Sequence, residues 1–273
     1  RMMLAPDRCI WRFKELLGQP ACDELPAWTH FHTAPLADGT IAVSIDGELI
    51  SLDEVAAHVL QALKDMAESV LMQQAQRIVM TVPAHFGDVQ HELLTQACAL
   101  VGWEVVDFLE ESLAAAMAYA HCRVQLAQTT DLPDETALVY NLGGGTFEAA
   151  LVALSADNVQ LIDMVSRSRV GGTYFDDRLT KYLIERFEQQ HETRISHAPA
   201  LVERFRFAAH LAKQNLSFEE ATVIYLPYLE VPDGRILTFV HNLSATKLRE
   251  LVGDLMEQTV QDCLMLCRRA QRD

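Results

Sequence analysis

Three consecutive glycines, Gly143, Gly144 and Gly145, stand between Asn141 on one side and Thr146 and Glu148 on the other. The flanking stretches 136–142 and 146–154 read as strands, so the glycines sit in a strand–turn–strand and not at a strand–helix junction. That excludes Walker and Rossmann sites, whose phosphate meets a helix N-terminus directly after the glycines. A glycine hairpin still brings bare backbone N–H groups against an anion. A carboxylate or amide at the strand end could hold a hydrated Mg²⁺ beside phosphates. A plain tight hairpin would explain the glycines alone; the polar residues on both sides point to chemistry.

Other constellations are thinner. His30 and His32 put two imidazoles on one strand face, but no third residue is spaced to complete a metal site. Cys263 and Cys267 lie one turn apart on a helix and read as buried thiols. His85 follows the end of a strand, where a pH-sensing role is imaginable. No Ser/His/Asp order with a nucleophile elbow is visible.

The elements that must position these residues follow from periodicity. Residues 7–17 read as a short helix ending at Gly18, and 28–50 as a β-meander turning at Asp38-Gly39 and Asp46-Gly47. Ser51 and Glu54 form a capping box, ahead of a helix with Val55, Val59, Leu63, Met66 and Val70 on one core-facing stripe. Arg77–Val82 is an apolar run typical of a strand buried on both faces. Helix 88–101 follows with Leu93, Leu94, Ala97 and Leu100 inward, then strand 103–109 and helix 112–121. Residues 123–134 lose periodicity and read as a connection between two lobes, 1–122 and 135–273. Beyond the glycine hairpin, Asp157-Asn158 turns into strand 159–166, and Gly171-Gly172 precede helix 174–191. Helix 199–216, strands 221–229 and 235–241, and a helix 244–270 opened by Ser244 or Asn242 complete an α/β pattern.

The 273 residues carry 22 Lys and Arg against 38 Asp and Glu, a net charge of −16. Nucleic-acid binders need a basic face to displace phosphate counterions, so that class is excluded. Half the residues are apolar, enough for a core. No apolar run reaches the roughly 18 residues of a membrane helix, and the charged N-terminus does not read as a secretory signal. Six scattered Cys suit reduced thiols in the cytoplasm or an organelle matrix.

The segment Val139-Tyr-Asn-Leu-Gly-Gly-Gly-Thr-Phe-Glu148 resembles the second phosphate loop, DLGGGTFD, of the seventy-kilodalton heat-shock chaperones. Other segments agree in order along nearly the whole chain, most weakly in 19–50. Thr81–Phe86 is similar to TVPAYF, Leu109–Ala116 to INEPTAAA and Val170–Leu179 to LGGEDFDNRL; Ala209–Ser217 is similar to CERAKRTLS and Phe13–Gly18 to AKRLIG.

The resemblance implies an actin-like (ribonuclease H-like) ATPase fold with two lobes, incomplete at both ends. A DLGTT-like first phosphate loop is not found before the match begins, nor a VGGSTRIP-like turn after it, so a fragment or a reduced paralogue is expected. It implies ATP or ADP with Mg²⁺ as cofactors, and a J-domain protein, a nucleotide exchange factor or a larger assembly as partners. Lys14 matches the catalytic lysine and Glu111 the glutamate that orders the metal shell, beside Glu110 and Ser112 where the family has Asn and Pro. Asn141 stands at a catalytic Asp and loses its charge; Glu148 replaces a second Asp; Thr146 is kept. Gly143, Gly144, Gly145, Gly171 and Gly172 match turns facing the nucleotide. Lys213 and Ser217 match adenosine-contacting positions four apart on one helix face, while Gln214 replaces an Arg and His210 a Glu; an exposed lysine is the competing reading of Lys213. Arg206, one turn earlier, reads as a solvated arginine. The implied function is the ATP-binding domain of a chaperone, the alternative a non-hydrolysing paralogue serving as a scaffold.

Overall fold

The computed structural model describes residues 5–20, 29–37, 39–128, 133–155, 158–195 and 197–270. The expected features at Cys22, Asp38 and Asp157 lie outside these. Contacts gather the chain into two units: residues 12–22, 33–170 and 258–273 in one, and 1–11, 23–32 and 171–257 in the other. No helix among the described residues is long and apolar enough to cross a membrane.

The first unit opens with a 3-10 turn at Phe13–Glu15, not the continuous helix expected over 7–17. Arg12 is the reason: its φ of 55° is left-handed and breaks any helix at that point. Gly18 also has positive φ, 72°, and a Cβ there would lie 2.9 Å from Gln90 Nε2. The meander is present as β1 (His32–Pro35), β2 (Ile41–Ile45) and β3 (Glu48–Ser51), paired in that order. The capping box is present too. Ser51 N–H donates to Glu54 Oε2 at 2.8 Å and starts α1 (Leu52–Leu71).

Parallel strands β4 (Arg77–Val82) and β5 (Glu104–Glu110) flank α2 (Asp88–Leu100), and α3 (Glu111–Ala127) leaves β5 directly. Helix α3 thus takes in the first part of the stretch read as an unstructured connection. Alanines 56, 57 and 97 let α1 and α2 approach closely over Phe13 and Trp103. Three expectations fail here. The α1 stripe is buried only at Val55; Val59, Leu63, Met66 and Val70 face solvent, Val70 at 77% exposure. Leu100 is exposed, and Val79 of β4 is 59% exposed, so β4 is not covered on both faces. Periodicity marks an apolar stripe, but the described residues supply no layer over this one.

Strands β6 (Glu135–Leu142), β7 (Thr146–Leu154) and β8 (Val159–Ser168) form an antiparallel sheet with β7 central. One face packs Ala150, Val152 and Leu154 against Ala116 and Ala120 of α3. On the other face Tyr140 Oη and Thr259 Oγ1 are 2.7 Å apart, and Arg167 pairs with buried Asp262.

The second unit holds α4 (Gly172–His191), α5 (Pro199–Asn215), and the antiparallel pair β9 (Ala221–Glu230) and β10 (Ile236–Ser244). Helix α6 (Ala245–Ala270) follows, its Lys247 N–H capped by Ser244 Oγ at 3.1 Å; Ser244, not Asn242, opens it. The core is aromatic. Phe187 lies 5.3 Å from Phe205 and 5.7 Å from Phe239, ring centre to ring centre, and all three are fully buried. Phe239→Ala is expected to cost about 3–5 kcal/mol in urea unfolding, the typical price of emptying an aromatic core site; a loss under about 1 kcal/mol would show that the three rings do not form one core.

Candidate functional site

Residues Asn141 and Glu148 are direct cross-strand partners at the tip of the β6–β7 hairpin. The turn between them is closed by Gly143 N–H donating to Thr146 O at 2.9 Å, and tied to the end of β8 by Arg169 N–H donating to Gly145 O at 3.0 Å. Among the described residues, neither the Gly144 nor the Gly145 N–H meets a protein acceptor. Two unbonded amides on adjacent glycines leave donors with which an anion could bond.

Glu148 holds this hairpin in place. The residue has 0% exposure, and a buried carboxylate must be met by donors. Oε1 accepts from Ala84 N–H at 2.6 Å and Ser166 Oγ at 3.4 Å; Oε2 accepts from Ser112 Oγ at 2.9 Å. The donors come from the loop after β4, from β8 and from the first turn of α3. A negative charge also suits that helix N-terminus. Ser112 and Glu148, two departures from the family pattern, therefore contact each other: the serine supplies a hydroxyl where a proline has none. Glu148 is committed to the protein and not presented to a ligand.

Beside the hairpin, Lys14 Nζ donates to Glu111 Oε1 at 2.9 Å and lies 5.6 Å from the centre of the Phe86 ring. This pair is partly exposed, so it contributes little to stability and is open to exchange for another partner. Arg12 donates to both oxygens of Glu15, at 2.7 and 3.1 Å, and Glu15 Oε1 lies 3.1 Å from where a Cβ on Gly145 would be. Lys14, Glu111, Asn141, Thr146, Glu148 and the three glycines thus belong to one unit.

Residues Gly171, Gly172, Lys213, Gln214 and Ser217 belong to the other. Lys213 is not the exposed lysine of the competing reading. Its Nζ donates to Gly172 O at 2.8 Å and pairs with Asp176 at 2.8 Å, while His210 Nδ1 meets the other Asp176 oxygen at 3.0 Å. Lys213 therefore joins α5 to the glycine-led start of α4. Ser217 lies in the turn beyond Asn215, so the shared helix face expected for it and Lys213 does not exist. Gln214 and Ser217 are exposed. Arg206 is not solvated: it bonds Asp177 at 2.6 Å and Glu203 at 3.0 Å and stacks 4.7 Å from Trp11. His30 meets Glu203, 3% exposed, at 3.1 Å.

No group of three His, Cys, Asp or Glu among the described residues could hold a metal ion. Cys98 is buried, which pushes its thiol up to about 11; Cys263 is part-buried and raised, while Cys122 is exposed. Sequence reading passed over Arg12 and Glu15. The signal was present: Glu15 stands where the resembling segment AKRLIG has a basic residue.

The glycine hairpin and the Lys14–Glu111 pair lie in the same unit of an α/β chain. In the family comparison, residues 1–272 match the family described as Hsp70 protein, and the chain belongs to the Hsp70 family. It is a chaperone-type nucleotide-binding domain.

Removing Glu148 would strand Ser112 Oγ and the Ala84 N–H. Glu148→Ala should therefore cost about 3 kcal/mol in chemical unfolding, and Glu148→Gln, with one acceptor oxygen left, distinctly less. Equal, small losses would contradict a buried acceptor role. His85, whose Nδ1 lies 3.0 Å from Ser166 Oγ, sits below its ordinary pKa of 6.5 through burial; Glu148 and Glu111 pull it up and Lys14 pushes it down. His241 is lowered too, by burial and Arg186. Both rings accept a proton more readily unfolded than folded, so stability should fall as the pH drops below 6.5. His85→Asn should flatten that slope, and an unchanged slope would remove His85 from the account.

Proposed function

We propose that this chain binds ATP or ADP through its phosphates, as the nucleotide-holding part of an Hsp70-type chaperone with the family's actin-like fold. The observation that carries the reading is the pair of open amides at Gly144 and Gly145, with Lys14 on the adjacent 3-10 turn. A phosphate chain fits this donor set: backbone N–H groups take the oxygens and Lys14, released from Glu111, adds a mobile point charge. Thr146 could add a hydroxyl. In the other unit Lys213 keeps the start of α4, led by Gly171 and Gly172, in position; a role of Lys213, Gln214 and Ser217 toward a nucleoside rests on the family resemblance.

The carboxylates fit a metal less well. Glu148 is buried, Glu111 and Glu15 are paired, and Asn141 is neutral. Mg²⁺ would therefore be held by phosphates and water, its usual preference, with the Asn141 amide and Glu111 touching its water shell. When bound, it would neutralise phosphate charge. The chain's own residues orient the phosphates and a water but offer no base at position 141, because an amide cannot accept a proton. This favours binding with slow hydrolysis, and it is the one observation that supports a scaffold paralogue. J-domain proteins and exchange factors are the partners the family suggests.

Titration calorimetry with Mg-ATP and Mg-ADP tests the reading. Binding is expected, with Lys14→Ala weakening ATP more than ADP; absence of heat with both nucleotides up to millimolar concentration would overturn it. Under single-turnover conditions Asn141→Asp should raise hydrolysis at least about tenfold, a floor set below the roughly 10²–10⁴-fold typical of general-base effects. Equal rates would show that position 141 does not limit the reaction.

A further inference from the structure

Glu15 is a negative charge set against the glycine turn. Its Oε1 lies 3.1 Å, its Cδ 3.8 Å and its Cγ 4.0 Å from where a Cβ on Gly145 would stand, so the absent side chain is what lets the carboxylate close on the turn. Two features hold it there. Arg12 grips both oxygens in a bidentate pair, and Arg12 itself, with a left-handed φ of 55°, stands directly before the 3-10 turn that carries Glu15. A non-glycine residue in that region is uncommon and costs free energy, which the surrounding structure must hold in place. Lys14 follows on the same turn and pairs with Glu111. Of these side chains Glu15 is the one against Gly145, and the two cations on and before its turn, Lys14 and Arg12, are each matched with a carboxylate.

The electrostatic consequence is direct. A site made only of amides, Lys14 and Arg12 would bind a phosphate chain more tightly the more charge it carried. With Glu15 beside Gly145, each added phosphate charge meets repulsion, and an Arg12 nitrogen now bonded to Glu15 answers an incoming phosphate by giving up that bond. We infer that Glu15 is a specificity-determining residue that acts as a charge gate on the glycine turn, penalising the longer, more highly charged phosphate chain so that the site favours a nucleoside diphosphate over a triphosphate. The inference rests on the proposed placement of phosphates at Gly144 and Gly145.

One unit charge several ångströms from a carboxylate, in the intermediate dielectric of a protein surface, changes affinity about five- to tenfold. Neutralising Glu15 should then tighten ATP about five- to tenfold more than it tightens ADP, and leave AMP almost unchanged. Calorimetry with Mg-ATP, Mg-ADP and AMP on the parent chain, Glu15→Gln and Glu15→Ala measures this, each variant first shown to keep the parent's thermal melt. Two variants guard against one failing to fold, and the ratio of ATP to ADP affinity is a readout that loss of a packing contact alone would not move. Adding Arg12→Gln to Glu15→Gln should return most of the gain, because the released guanidinium is gone. An ATP-to-ADP ratio that stays within about twofold of the parent, less than the Coulomb estimate, overturns the gate while leaving nucleotide binding intact. No binding by the parent or by either variant overturns both readings together; binding by the variants alone supports the gate while overturning nucleotide binding by the parent chain.

Discussion

A carboxylate sealed from water has to be surrounded by hydrogen-bond donors, and around Glu148 that requirement organises the larger unit. The Ala84 amide, the Ser112 hydroxyl and the Ser166 hydroxyl come from the loop after β4, the first turn of α3 and the strand β8. Each must stay where it is for the charge to remain satisfied. The glycine hairpin is attached at Glu148 itself, three residues beyond Gly145 and two beyond Thr146. The tip of the hairpin is therefore fixed by an interaction on its stem, and its amides stay open without a side chain of their own to hold them.

The second organising theme is that cations here are matched before any ligand arrives. Lys14 has Glu111, Arg12 has Glu15, and Lys213 has Asp176 shared with His210. In a chain with a net charge of −16, unmatched cations at an anion site would be the exception. The pairs differ in what they permit. Lys14–Glu111 is open to water and exchanges partners at small cost, whereas Lys213 is held by a backbone carbonyl as well as a carboxylate and acts as a brace.

The glycine hairpin was legible in the sequence because turn chemistry is local: three glycines between two strand-like runs have few other solutions. The Ser51–Glu54 box and the start of α4 after Gly171 were legible for the same reason. What sequence could not show is which apolar stripe has a partner. Val59 and Val70 have the spacing of core residues and still face solvent, because burial depends on a neighbouring layer and not on the helix itself. Arg206 looked like a surface cation, and an exposed lysine stayed a competing reading of Lys213, because their carboxylates lie a helix away in sequence, at Asp177 and Asp176. Glu15 was missed although its charge was plain, since nothing local ties it to Gly145, more than a hundred residues on.

The central claim is that the Gly144 and Gly145 amides, held open by the Glu148 anchor, are where phosphate is received. Hydrogen–deuterium exchange resolved to single amides tests it most directly, comparing the chain alone with the chain under saturating Mg-ADP. The account predicts that these two amides, unbonded within the protein, slow markedly on addition of nucleotide, while Gly143, already bonded to Thr146, changes little. Unaltered exchange at Gly144 and Gly145 in a sample shown to be nucleotide-bound would contradict it.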